Sequence, residues 1–384
     1  MATVLIKGGR VLDGTGVAAF EGDVLLEGDR IAGLVTGGED APAVDQVLDA
    51  SGCMVSPGFI DMHSHADWTL ALANHDDLMK INLEQGVTSV VGGNCGFSPA
   101  PLAPAGPGSA EGSLVAMLVE EPLDFSWRTM GEFLERVEKN EPVVNMAELV
   151  GHASLRAAVS APARGAMPSH QLERCLEEAR RCFDEGACGL SFGLGYDPGM
   201  YSPLEELAAF SRVAAEAGKP VTVHLKAMSA ISPTYPLTYL KPHNLRALRE
   251  MLEIARETGV TLQISHFIFV GRRSWGTAGR ALEMVEQARR EGVDVMIDAF
   301  PYTCGNTTIN APLPYWFLAM GPRGYRSRAA RARVRLELEI GFRLVGVVYD
   351  DFQVMDSAIQ GAEDLNGSTI AEIARRRGAR PFDT

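Results

Sequence analysis

The sequence predicts an α/β protein: a TIM-like (β/α)8 barrel, incomplete at seven strands, with a small all-β part ahead of it. Three observations lead there. From Val55 onward, short apolar runs alternate with amphipathic segments, the pattern of a parallel sheet covered by helices. Before that point the chain holds only short strand-like runs broken by turns. Finally, the residues with metal-binding chemistry fall at the C-terminal ends of the predicted strands, where barrels of this type carry their sites.

Residues 1–54 read as strands Thr3–Lys7, Arg10–Leu12, Gly22–Glu27, Arg30–Val35 and Gln46–Asp49, punctuated by Gly22-Asp23 and Gly28-Asp29. A piece of this size buries too little to stand alone. The barrel strands are expected at Val55–Asp61, Val87–Gly93, Val144–Val150, Ala187–Gly193, Pro220–His224, Thr261–His266 and Val293–Asp298. Between them, Gln171–Glu185, Leu204–Ala217, Asn244–Thr258 and Ala278–Gly292 carry apolar residues at three and four spacing and read as helices. Ser169 and Ser202-Pro203 look like helix starts. The Pro, Ala and Gly-rich stretch 97–112 is expected to be a loop over the barrel mouth. Residues 322–340 are arginine-rich and helical, an apolar run follows from Phe342 to Tyr349, and Thr369–Arg377 is another helix.

Composition narrows the function. With 46% hydrophobic and 22% charged residues over 384 positions, the chain is ordinary globular protein. A net charge of -14 argues against nucleic acid or an anionic membrane as partner, since both require a basic face. The six cysteines have no repeating spacing, which fits a reducing compartment rather than a disulfide framework. There is no secretory h-region at the start and no apolar run near the roughly 18 residues that span a bilayer. A cytoplasmic location is the expectation.

The stretch Pro57-Gly58-Phe59-Ile60-Asp61-Met62-His63-Ser64-His65 organises the chemistry. Side chains two apart in a strand share a face, so His63 and His65 project together and can grip a transition metal. Other strand ends supply Asn94-Cys95-Gly96, His224, Ser265-His266 and Asp298-Ala299-Phe300-Pro301-Tyr302. Four histidines and one cysteine converging on one mouth make a nitrogen and sulfur set that zinc prefers. Singly, Cys95 reads as a buried small hydrophobe and His224 or His266 as a hydrogen-bonded interior histidine; the joint placement is what chance does not supply. His152 follows a strand and is equally a structural or a substrate-side residue. His75, His170 and His243 are expected to be solvated.

These motifs resemble the metal-dependent amidohydrolase superfamily, and within it the N-acyl-D-amino-acid deacylases (D-aminoacylases). The likeness rests on the Pro57–His65 stretch, on Gly92-Gly93-Asn94-Cys95-Gly96-Phe97-Ser98, and on Gly189-Leu190-Ser191-Phe192-Gly193-Leu194-Gly195-Tyr196-Asp197-Pro198-Gly199. Val223-His224, Gln263-Ile264-Ser265-His266, Ser274-Trp275-Gly276 and Phe300-Pro301-Tyr302 extend it, and Ile6–Gly16 looks like the first hairpin of the superfamily's small β-sandwich. The resemblance implies that Cys95, His224 and His266 hold one tight zinc while His63 and His65 line a second, weaker position. It implies a small-molecule N-acyl amino acid substrate, with Tyr196 touching its carboxylate. Most superfamily members bridge two metals with a carboxylated lysine from the fourth strand. The fourth strand here, Ala187–Gly193, has no lysine, which separates the chain from hydantoinase-like relatives.

The resemblance also implies three departures. The family's general base is an aspartate at the end of strand eight, after a helical insertion. Residues 315–384 look like that insertion, so 1–54 is expected to be the N-terminal part of the sandwich and 55–314 to hold barrel strands one to seven. The chain is then expected to be the N-terminal part of a longer enzyme, with two open sheet edges that favour aggregation. A rival reading makes Leu344–Tyr349 strand eight, with Asp350 or Asp351 as base. Second, the lysine that usually lies two residues after the strand-six histidine is Ile268 here, a lost contact worth on the order of 1.5–3 kcal/mol. Arg272 or Arg273 would supply the charge instead. Third, Lys226 stands where an arginine is common after the strand-five histidine. Two competing functions follow: a cyclic-amide hydrolase of hydantoin or dihydropyrimidine type, and a non-catalytic scaffold that kept the fold.

Overall fold

The structure, a computed structural model, describes residues 2–36, 42–103, 123–160, 165–236, 241–307, 309, 312–318, 320–357 and 361–384. The chain forms two compact units, Met1–Asp61 with Ile81–Ser89, and Met62–Lys80 with Val90–Thr384.

In the first unit, β1 (Thr3–Val11) lies antiparallel to β2 (Phe20–Glu27), and β2 antiparallel to β3 (Arg30–Val35). β4 (Gln46–Asp49) and β5 (Met54–Val55) both run parallel to β1. The two strands expected over Thr3–Leu12 are one, because a register shift between Ile6 and Gly9 absorbs the glycines and lets pairing resume. Leu5, Val11 and Val24 form its small core. The strand expected over Val55–Asp61 is split: Pro57 has no N–H for a ladder, and β6 (Phe59–Asp61) starts only after it.

A second sheet begins with β6 and continues through β7 (Val87–Gly92), β8 (Asn145–Gly151), β9 (Gly189–Gly193), β10 (Val221–His224), β11 (Leu262–Ile264) and β12 (Val295–Ile297). Sheet order follows chain order from β6 to β12, and the pairs from β8 to β12 are all parallel. This is the seven-stranded parallel sheet that the alternation predicted. One face of its middle strands is apolar, with Leu190, Phe192, Val221, Val223, Leu262 and Ile264 all fully buried, while the alternate positions carry Ser191, Thr222 and Gln263. Helices Ser169–Asp184, Leu204–Glu216, His243–Thr258 and Ala278–Arg290 lie between successive strands, each burying an apolar stripe such as Leu207, Phe210, Val213 and Ala214. Their starts differ from expectation. Pro168 and Pro203 occupy the N-cap positions, and the Ser202 hydroxyl is drawn away to the Glu206 carboxylate at 2.8 Å.

The rival eighth strand at Leu344–Tyr349 is not a strand. Helix Arg328–Val345 runs through its first residues, Gly346 ends the helix at φ 80°, and Tyr349–Asp351 is a 3-10 turn. The helical spacing of Ala330, Val334 and Leu338, which pack on Phe317, carries the helix that far. No strand pairs with β12 beyond β11 among the described residues. In the predicted mouth loop, residues 104–112 lie outside the described residues. The part before them is not a surface excursion: Phe97, Ser98, Ala100 and Leu102 are buried, and Trp127 Nε1 donates to Pro99 O at 2.8 Å. No described helix is long and apolar enough to cross a membrane.

Candidate metal centre

The centre is built from strand ends within the larger unit. After β6 the chain is tied to β7: Ser64 N donates to Val91 O at 3.0 Å, and Asn94 Nδ2 donates to Val91 O at 2.8 Å and to Met62 O at 3.4 Å. This holds His63 and His65 beside the turn that follows β7. That turn is sharp. Gly93, Cys95 and Gly96 all have positive φ, of 69°, 58° and 80°. A Cβ at Gly93 would lie 1.9 Å from Leu149 O, and one at Gly96 would lie 2.5 Å from Gly193 N. Only glycine lets the turn press this closely on β8 and β9. Ser191 of β9 bonds both sides of it, accepting from Gly96 N at 2.9 Å and donating to Gly93 O.

The result is a cluster around the Cys95 sulfur. Cys95 Sγ lies 3.3 Å from His63 Nε2, 3.5 Å from His266 Nε2 and 3.8 Å from His224 Nδ1. The ring centroids of His63 and His65 are 5.7 Å apart, those of His63 and His266 4.9 Å, and those of His224 and His266 4.6 Å. Two groups have donor atoms all within 4.8 Å of one another: His63, His65 and Cys95, and Cys95, His224 and His266. Cys95 is common to both. The structure thus brings together all five residues singled out in the sequence as metal donors.

Electrostatics keeps these rings neutral. Burial, with repulsion from His266 and His65, holds His63 down to about 3; burial and His266 hold His65 to about 4. Burial and the neighbouring histidines push His224 well below its ordinary value, and burial lowers His266. Each imidazole therefore offers a lone pair at neutral pH. Burial pushes the Cys95 thiol up to about 12, with Asp298 and Asp67 adding to the rise. Buried His65 Nδ1 and His266 Nδ1 have no hydrogen-bond partner. A crowd of neutral imidazoles and one thiol, aimed at each other, is the donor set of a nitrogen and sulfur-preferring divalent metal, whose charge would favour the thiolate.

The remaining predicted residues are dispersed. Tyr196 stacks on Phe97, meets the edge of His224 at 4.8 Å and donates its hydroxyl to Cys95 O at 2.6 Å. Its hydroxyl is thereby committed to the cysteine turn. Lys226 sits 5.6 Å over the Tyr235 ring, and burial lowers its pKa. Arg272 forms a two-pronged pair with Asp351 at 2.6 and 2.7 Å, so these two candidates engage each other. Arg273 follows in the short helix Arg272–Trp275. Asp350 meets Thr369 Oγ1 at 3.4 Å and Arg375 at 3.8 Å. The described contacts of Asp350 and Asp351 include no histidine of the cluster. His152 is buried and bonded to Glu206 at 2.9 Å. His170 is exposed as expected, but His75 and His243 are buried, bonded to Leu72 O at 3.0 Å and to Ser232 N at 2.8 Å.

Asp298, noted at a strand end but given no role in the sequence reading, reaches the cluster, with Oδ1 3.8 Å from His63 Nδ1. Two further features escaped that reading. Asp67 and Glu148 form a fully buried carboxyl pair behind the cysteine turn, where Gly93 N donates to Asp67 Oδ2 at 2.9 Å. Burial pushes Asp67 up to about 7 and Glu148 well above its ordinary value. Glu206 gathers His152, Arg156 and Ser202 on one oxygen. Nothing in the local sequence announces such long-range pairs.

Known proteins resemble this chain over most of its length. The amidohydrolase family profile matches residues 46–331. The N-acyl-D-glutamate deacylase of Alcaligenes xylosoxydans xylosoxydans is 38% identical over 320 residues, which are 80% of this chain and 58% of that protein. The D-aminoacylase of the same organism is 32% identical over 306 residues, again 80% of this chain and 58% of that protein. The chain therefore spans less than two thirds of either relative's length. The crystal structure of the N-acyl-D-glutamate deacylase of Bordetella bronchiseptica, complexed with zinc and a phosphonate mimic of the tetrahedral intermediate, superposes with a TM-score of 0.77 at 29% identity, covering 99% of this chain and 68% of that one. With a parallel barrel-type sheet, a five-donor cluster at its strand ends and a family match over most of its length, the chain belongs to the amidohydrolase family.

Proposed function

We propose that this chain carries the metal-holding part of a zinc-dependent amidohydrolase that deacylates N-acyl-D-amino acids, giving a D-amino acid and a carboxylate. The convergence of His63, His65, Cys95, His224 and His266 around one sulfur carries the reading. Cys95, His224 and His266 would hold the tight ion, and His63 and His65 a second, weaker position on the other side of the shared thiolate. Zinc suits two or three imidazoles with one thiolate, and the zinc-complexed relative is a deacylase. Bound there, the ion supplies the Lewis acidity that polarises an amide carbonyl and makes water acidic near neutral pH.

The chain's own residues supply the rest. Neutral imidazoles would add no negative charge at the ion, so the Cys95 thiolate alone among these five donors would offset part of it. Tyr196 holds the cysteine turn through Cys95 O, which fixes the sulfur, and its ring lines the wall beside His224. Lys226, two residues beyond His224, offers a cation for the substrate carboxylate; Arg272 is already neutralised by Asp351. The fourth strand presents Ser191 to the cysteine turn and no lysine to the metals, which favours the linear-amide reading over the cyclic one.

Elemental analysis of the purified chain tests the metal, and assays with N-acyl-D-glutamate, neutral N-acyl-D-amino acids and hydantoin test the substrate. The expected result is about one tightly held zinc per chain, lost in Cys95→Ala and kept when Cys53, Cys175, Cys182, Cys188 or Cys304 is replaced singly by Ala. A folded chain that holds no metal, or a Cys95→Ala variant with full metal, would overturn the site. Hydrolysis of hydantoin without release of D-amino acid would overturn the substrate class.

A further inference from the structure

We propose that Asp298 is a positioning residue whose single carboxylate sets both His63 and His266, and so couples the two metal positions. The inference rests on the cluster being a metal centre. Asp298 follows β12, and its backbone continues the sheet's bonding: Asp298 N donates to Ile264 O at 3.1 Å and Phe267 N to Asp298 O at 2.7 Å. The side chain then turns toward the cluster. Oδ1 accepts the His266 backbone N–H at 2.5 Å, while Oδ2 accepts Gln263 Nε2 at 2.8 Å. Oδ1 also lies 3.8 Å from His63 Nδ1.

Two physical consequences follow. His266 has φ 33°, on the left-handed side where a side chain is strained. The bond from its N–H to a carboxylate stabilises that backbone and sends its Nε2 to the Cys95 sulfur at 3.5 Å. His63 also points Nε2 at the sulfur, at 3.3 Å, and turns Nδ1 toward Asp298. At 3.8 Å the carboxylate stands beyond a direct hydrogen bond but within ion-pair range, and its negative charge favours the tautomer with the proton on the near nitrogen, which leaves the far lone pair for a metal. Asp298 thus reaches one donor from each triplet, and Gln263 holds it in place.

The test compares the wild-type 384-residue chain with Asp298→Asn. Zn2+ affinity is measured by chelator competition, the His63 tautomer by nitrogen-15 NMR of the metal-free proteins, and metal-free stability by thermal melting. The expected result is a loss of Zn2+ affinity of about 10–100-fold in D298N, a shift of His63 away from the Nδ1–H tautomer, and a nearly unchanged melting temperature without metal. A role confined to holding up the fold would instead lower metal-free melting and leave the tautomer alone. Gln263→Ala loosens the carboxylate while sparing every donor, and serves if D298N does not fold; it should weaken Zn2+ in the same direction by a smaller factor. Wild-type affinity in both variants would overturn the inference and leave the metal centre standing. A wild-type chain that binds no Zn2+ would overturn the metal centre and the inference with it.

Discussion

Glu206 is a buried carboxylate whose contribution is to the stability of the fold. Its Oε1 takes the Arg156 guanidinium at 2.5 Å, His152 Nε2 at 2.9 Å and the Ser202 hydroxyl at 2.8 Å, all in the buried layer outside β9. Burial alone would raise its pKa; His152 and Arg156 outweigh that and hold it at about 2. A depressed carboxyl stabilises the fold above its unfolded value, near 4.5, and loses that contribution as pH falls through the folded one. Glu206→Gln should cost about 3–5 kcal/mol at neutral pH, because Arg156 loses its buried carboxylate. The gap between wild type and variant should then narrow from pH 4.5 toward 2. Urea unfolding across that range checks it, and a gap that does not change with pH refutes the assignment. At this scale the sequence was legible where position in a strand decides the outcome. His63, His65, Cys95, His224 and His266 could be placed from strand ends alone. The pairing of Arg156 with Glu206 crosses 50 residues, and His75 and His243 were misjudged because their burial depends on neighbours that no local pattern reveals.

The turn after β7 is the element on which the centre depends, and its glycines make it testable. Gly93 and Gly259 have nearly the same left-handed backbone, with φ of 69° and 70°. Their surroundings differ: a Cβ at Gly259 meets nothing within 4 Å, whereas one at Gly93 would press on Leu149 O and on Glu148. Gly259→Ala should therefore cost only the left-handed penalty of about 1–2 kcal/mol and keep its metal. Gly93→Ala should cost more and lose metal, since relief of the clash must move Cys95. Denaturant unfolding together with elemental analysis of both variants decides the point; equal behaviour would mean that the turn tolerates displacement. Element types were readable because apolar spacing differs between strands and helices, and the strands from Val87 onward differ from expectation by no more than two residues at either end. The exceptions have local causes. Pro57 breaks one expected strand, glycines at a bulge join two others, and the apolar run after Phe342 divides between a helix end and a turn because Gly346 sits inside it.

For the molecule as a whole, alternation of strands and helices was enough to give the architecture, because it repeats along most of the chain. Among the described residues β12 has a neighbour strand on one side only, and its Met296 and Ile297 are 50% and 40% exposed, unlike the sealed middle strands. The five metal donors all lie in the larger unit, spread from residue 63 to residue 266 and placed at the ends of four strands. An ion held by them would add a further link between segments already joined by the sheet and by bonds such as Tyr196 to Cys95 O and Asp298 to His266 N. Ligands that bind the folded state alone stabilise it by RT ln(1 + [L]/Kd), about 4 kcal/mol at a thousandfold excess over Kd. Adding zinc to the chelated chain should accordingly raise the melting transition of the larger unit by several degrees, and a chelator should reverse the shift. Zinc must displace the proton of the Cys95 thiol, which burial holds up at about 12, so the effect should fade as pH falls even though His63 and His65 stay neutral down to about 3 and 4. Cys95→Ala should melt at one temperature with or without zinc. Scanning calorimetry of both proteins at two zinc concentrations gives the answer. A wild-type transition that ignores zinc would show that the cluster does not bind it; a Cys95→Ala transition that still rises would show that the histidines hold the ion without the thiolate.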